Sequence, residues 1–196
     1  MTFDELVQEV YNLTNRPDLD TQTKSAIKAA TLKAHLTDFY SKDIYETGIE
    51  FGTYDYIQSI DFYNIIPNMR AIKYVKLVND AKDQNGVLLD IITPEEILDS
   101  YNRNKANVAY IAGRVLNIRA AVKYKYALFG CYVLPVTTED NYSSWIAVMQ
   151  PYAIIYSAAV TLFKLIGYDE EASAYATFVA EEYRLLKINH LTDVGY

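Results

Sequence analysis

The chain has 196 residues, a hydrophobic fraction of 51% and a formal net charge of −7. These totals suit one domain with a sizeable core and lie outside the disordered regime. They argue against a free-standing nucleic-acid binder or a protein docking on anionic lipid, and the single cysteine, Cys131, rules out an internal disulfide. Met1-Thr2-Phe3-Asp4-Glu5 is acidic where a secretory signal would be basic, so no signal peptide is expected. Thr2 to Glu5 reads instead as a capping box, followed by the helical stripe Phe3, Leu6, Val7, Val10 and Leu13. Asn15-Arg16-Pro17-Asp18 breaks that helix. A second helix is expected from Asp20 or Thr21 to about Phe39, rich in alanine for close packing. Lys24, Lys28 and Lys33 give it a basic side, either solvated or facing an acidic partner.

From Ile44 to Val133 short runs of Ile, Val and Tyr alternate with polar residues, which predicts strands. They are expected at Ile44–Phe51, Tyr56–Phe62, Ile72–Val78, Val87–Ile92, Val108–Ile111, Arg114–Arg119 and Val122–Phe129. Val122-Lys123-Tyr124-Lys125-Tyr126 predicts one apolar and one charged face, and Asn85-Gly86 and Ala112-Gly113 read as hairpin turns. Thr93-Pro94-Glu95-Glu96 predicts a short capped helix to about Tyr101. The 19 tyrosines, against 1 Trp and 7 Phe, fit either half-wet strands or an interface.

A polar loop over Pro135–Ser144 precedes the uncharged run Trp145–Phe163, which predicts one long buried helix from near Ala147 or Pro151 to Ile166. Gln150-Pro151, Ser157 and Thr161 make a membrane span a poor reading of it. Gly167 should stop that helix, and a last amphipathic helix should end near His190. Ala172, Ala176, Val179, Tyr183 and Leu186 fall at 4-3-4-3 spacing, the seam of a helix hairpin.

Groups that could carry chemistry are sparse. His35 and His190 have no partner at zinc-like spacing, and His35 is expected on a helix surface. Cys131 reads as a buried inert thiol. Glu95-Glu96, Glu170-Glu171 and Glu181-Glu182 are helical neighbours, about 100° apart, and not converging dyads. Phosphate-cradling glycine motifs are absent, and Ala81 to Ile92 lacks the first and twelfth carboxylates of an EF-hand loop. No catalytic, cofactor or metal residue is expected.

The segments FDELVQEVYNLTNRPDLDTQTKSAIKAATLKAHLTDFYSKDIYETG and SSWIAVMQPYAIIYSAAVTLFKLIGYDEEASAYATFVAEEYRLLK carry a likeness. The chain resembles the head–tail adaptor (connector) proteins of tailed bacteriophages, with a plan similar to podovirus tail tubular protein A and siphovirus portal adaptors. The resemblance implies a virion neck protein without catalysis or cofactor. It would form a ring, usually of twelve copies, bound to the portal protein on one side and a tail or tail-terminator protein on the other. DNA would pass through the lumen without specific binding, eased by a net-negative wall. The C-terminal segment would reach into the portal, with Ile188, His190, Leu191, Val194 and Tyr196 as docking residues. The expected fold is α+β: a four-helix bundle from residues 1–43 and 135–188, a β-barrel or β-sandwich insertion at 44–134, and a C-terminal tail at 189–196. The competing reading is a small cellular ligand-binding domain, or an enzyme with a tyrosine-lined site in the strand region.

Overall fold

A computed structural model of the chain describes residues 1–79, 86–98 and 105–193, with backbone alone at 52–54 and 190–193. It is a mixed α+β protein. Its contacts divide it into two compact units, Met1–Asp43 with Leu134–Tyr196, and Ile44–Val133.

The helical unit begins with α1 (Phe3–Thr14), capped reciprocally by Thr2 and Glu5. It buries Phe3, Leu6, Val7 and Val10 and ends where Asn15 turns left-handed at φ 52°. A 3₁₀ turn at Pro17–Leu19 leads into α2 (Asp20–Leu36). This helix stops three residues short of Phe39. The Thr37 hydroxyl takes the Ala34 carbonyl (2.7 Å) and also pairs with Tyr40 (2.6 Å), so side-chain bonds replace the next backbone turn.

Of the two starts expected for the long helix the later one holds: α6 (Tyr152–Leu165) begins just after Pro151, and a separate short helix, α5 (Trp145–Met149), precedes it. Pro151 has no N–H to continue the ladder, and its ring forces Gln150 out of helical geometry, to φ −146° and ψ 63°. Gly167, at φ 79°, ends α6 in a conformation that side chains with a Cβ avoid. α7 (Asp169–Asp193) follows and runs three residues beyond His190. α6 is the hub of the unit: α1, α2 and α7 all pack on it. Leu6, Ile27, Tyr40, Ile146, Ile154 and Leu162 form the centre of the core. Each such aliphatic side chain contributes about 1.5–3 kcal/mol by leaving water.

The sheet unit holds β1 (Ile44–Asp61), α3 (Phe62–Ile65), β2 (Met69–Val78), β3 (Val87–Leu88), β4 (Asp90–Ile91), α4 (Pro94–Leu98), β5 (Val108–Ala112) and β6 (Val115–Val133). Two pairs of expected strands are therefore continuous: the first two merge into β1 and the last two into β6. β1 pairs antiparallel along one edge of β6. On the other edge, β2 pairs with the C-terminal half of β6 and β5 with its N-terminal half. β3 then pairs with β2, and β4 with β5. The hydrogen-bonded path β3-β2-β6-β5-β4 has its two ends joined in sequence through Leu89, which makes a nearly closed, barrel-like circuit, while β1 pairs with β6 alone.

The clean alternation expected at 122–126 breaks. Val122 is exposed, while Tyr124 points inward. Inward residues are even-numbered up to Tyr124 (Leu116, Ile118, Ala120) and odd-numbered from Ala127 (Phe129, Cys131). The register with β1 slips between Glu50 and Asp55 and slips back between Asp55 and Ile57. Such irregularities let a 19-residue strand bend and change which face it presents. Phe62 and Phe129, with ring centres 5.4 Å apart, anchor the core. At Gly130 an added Cβ would lie 2.3 Å from the Tyr74 ring, so glycine is what lets Tyr74 cross the strand to donate to Glu46. The turn at Ala112-Gly113 and the Thr93–Glu96 capping box form as the sequence implies. Asn85, the metal-like stretch from Ala81 and the end of the helix expected to reach Tyr101 lie outside the described residues.

Candidate assembly surface

α6 and α7 lie side by side after the Gly167 turn. The 4-3-4-3 seam of α7 is closed at its ends, where Ala172 and Leu186 are buried. Between them it is open: Ala176 is exposed and Val179 and Tyr183 are half-buried. Tyr183 still reaches α6, donating to Ser157 Oγ at 3.3 Å, and burial raises its phenol pKa.

The open stretch faces α2 across α6 and makes a groove. Two adjoining depressions of about 630 Å³ each share Ala29, Thr161 and Lys164 in their walls. Small side chains dominate, among them Ala26, Ala29, Ala176 and Ala180. Two cations border it, Lys33 and Lys164. The basic side of α2 is therefore divided in use. Lys24 and Lys28 pair with Glu139 of the polar loop (3.5 and 2.9 Å), whose carboxyl pKa is lowered mainly by the Lys28 hydrogen bond. Among the described residues, Lys33 and Lys164 pair with no carboxylate.

On the other side of the same helix pair a second stripe runs along α7: Glu171, Tyr175, Phe178 and Glu182, spaced 4-3-4. Its rings continue onto α6. Tyr152 meets Tyr156 at 5.2 Å, Tyr156 meets Tyr175 and Phe178 at 5.7 and 5.6 Å, and Tyr175 meets Phe163 at 5.4 Å. Tyr168 stacks beyond Phe163 at 6.5 Å. Phe163 is buried, whereas Tyr152, Tyr168 and Phe178 are exposed by 45%, 49% and 48%, so this is an outer ridge rather than a core. Glu182 anchors one end by accepting from Gln150 Nε2 at 2.8 Å.

No protein-family model matches the chain, and no curated protein does.

The docking residues expected at the C-terminus fall in three groups. Ile188 is exposed on α7. His190 and Leu191 continue the helical backbone to Asp193, so the expected tail at 189–196 begins as helix. Val194 and Tyr196 lie outside the described residues.

One cluster went unseen in the sequence. His35 is buried, not on a helix surface. Its Nδ1–H donates to Asp43 Oδ1 at 2.7 Å, and Nε2 accepts from the Ser144 hydroxyl at 2.9 Å, the tautomer that Asp43 favours. Trp145 Nε1 donates to the same Asp43 oxygen at 2.7 Å. The connectivity is that of a hydroxyl–imidazole–carboxylate triad, but Ser144, His35 and Asp43 are all buried. Ser144 also accepts from Ala147 N at 3.4 Å as the cap of α5. The cluster ties the end of α2, the 41–43 turn and the start of α5 together. Its partners stand 8 and 109 residues from His35, a separation that carries no local spacing signal. Elsewhere, burial pushes the Cys131 thiol up to about 12, which suppresses its thiolate. Among the described residues, no group of three His, Cys, Asp or Glu side chains is placed to hold a metal, and no helix is long and apolar enough to cross a membrane.

Proposed function

We propose that the chain is a structural protein of a tailed-phage virion, a head–tail adaptor that assembles into a ring on the portal, extends the DNA channel and offers a platform to the tail. The observation that carries the assembly part is the α6–α7 pair, which exposes two unlike surfaces, an aromatic ridge and a small-residue groove. A protein that worked alone would gain nothing from leaving both uncovered. The phage setting rests on the resemblance of residues 3–48 and 143–187. In this reading the helices at 1–43 and 135–188 complete a four-helix bundle, the barrel-like unit supplies a wall or contact to neighbours, and neither catalysis nor cofactor takes part. The negative charge of −7 per copy suits a channel through which DNA slides.

The experiment is co-expression with the portal protein encoded in the same genome, followed by native mass spectrometry. Several copies of the chain on each portal assembly are expected. A chain that never accompanies the portal, and instead carries a bound metabolite through purification, would support the ligand-binding alternative.

A further inference from the structure

We infer that the ridge of one copy seats in the groove of the next, so that Phe178 and its neighbouring rings on α6–α7 fill the depression between α2 and α7 of a second copy. This deepens the assembly reading and rests on it. Three features support this match. The first is size: the ridge is made of tyrosine and phenylalanine rings, and the groove is floored by alanines that leave about 630 Å³ in each depression. The second is charge. Glu171 and Glu182 flank the ridge on its helix, and Lys33 and Lys164 border the groove without carboxylate partners among the described residues. Burying an aromatic surface between opposite charges steers the approach and disfavours ridge against ridge or groove against groove, where like charges meet.

The third is placement. On α7 the ridge stripe and the groove stripe both recur with helical spacing and are rotated by roughly 120° from one another at 100° per residue. Surfaces set on different sides can be taken by different neighbours, and the contact is then heterologous. Each copy then offers a free ridge and a free groove to further copies, and the chain of contacts closes into a ring if the rotation per copy allows. A symmetric dimer would instead close the ridge and the groove of both copies on each other and leave neither open to a third.

The test uses the full chain, in which the only native cysteine, Cys131, is buried. One tagged variant keeps Phe178 and carries Ala174→Cys, an exposed position one turn before it on the same side of α7, and a differently tagged variant carries Ala176→Cys in the groove. They are mixed, with and without portal, and treated with a short bismaleimide. The expected product joins the two tags, at least tenfold over either like-with-like product. Ala29→Trp in the groove copy should abolish it. Lys33→Glu with Lys164→Glu should reduce it several-fold, with the helical circular dichroism unchanged in both. Products only between like positions, or no product, overturn the contact. If native copies still ride the portal in number, that failure leaves the adaptor reading standing. Absence of the chain from the portal defeats the adaptor reading itself.

Discussion

At the surface of the sheet unit the tyrosines meet charged side chains. Lys73 lies over Tyr132, Lys125 over Tyr126 and Lys123 over Tyr56, and Tyr74 donates to Glu46. On the α6–α7 ridge the rings meet one another, with no cation over them among the described residues. A tyrosine beneath an ammonium is already satisfied on its exposed side, and covering it would strip water from a charge. A ring stacked only on rings can be covered at little cost. The same residue type thus serves solubility in one unit and leaves a sticky surface in the other, which is why composition alone could not separate half-wet strands from an interface.

Substitutions can break this contrast in order of effect. Phe129→Ala removes the buried ring against Phe62 in the sheet core and should cost about 3–5 kcal/mol, read as a lower urea midpoint of the sheet-unit signal. His35→Ala should cost the helical unit roughly 3 kcal/mol, because Asp43 stays buried with the Trp145 N–H as its remaining donor from that cluster. If urea unfolding followed by helical circular dichroism showed it to be neutral, the clamp would be no more than a packing coincidence.

Alkaline titration sharpens the comparison. Burial, together with the hydrogen bond to Asp20, pushes the Tyr11 phenol up to about 12, and the Glu46 hydrogen bond does the same for Tyr74 in the sheet unit. The unfolded phenol titrates near the ordinary tyrosine value of 10.0, so this stabilisation is complete below pH ~10 and is lost as pH climbs towards 12. Tyr11→Phe and Tyr74→Phe should each flatten that decline, which thermal melts between those pH values would show. The smallest effect on folding should come from Phe178→Ser, within about 0.5 kcal/mol because the ring is half exposed, although it should remove association between copies.

Much of the helical architecture was legible because its signals are local. The Thr2–Glu5 and Thr93–Glu96 boxes, the Asn15 break and the Gly167 stop each depend on a few adjacent residues. Pro151 was legible as one of two possible starts of the long helix, and the uncharged run on both sides of it left the earlier start at Ala147 open. The face switch in β6 was hidden, since register is set by a partner strand about 70 residues away. The His35 cluster was hidden for the same reason. The ridge was obscured by its neighbour: Glu171, Tyr175, Phe178 and Glu182 sit one position before Ala172, Ala176, Val179 and Tyr183, and two adjoining stripes read as one broad face.

The claim that most of this depends on is that the uncovered sides of α6–α7 exist to meet other copies. A cryo-electron-microscopy reconstruction of the chain on its portal tests it most directly. The account predicts a closed ring in which Phe178 of every copy contacts the Ala29–Ala176 groove of the adjacent one. Copies that touch solely through their sheet units, leaving ridge and groove in solvent, would contradict it.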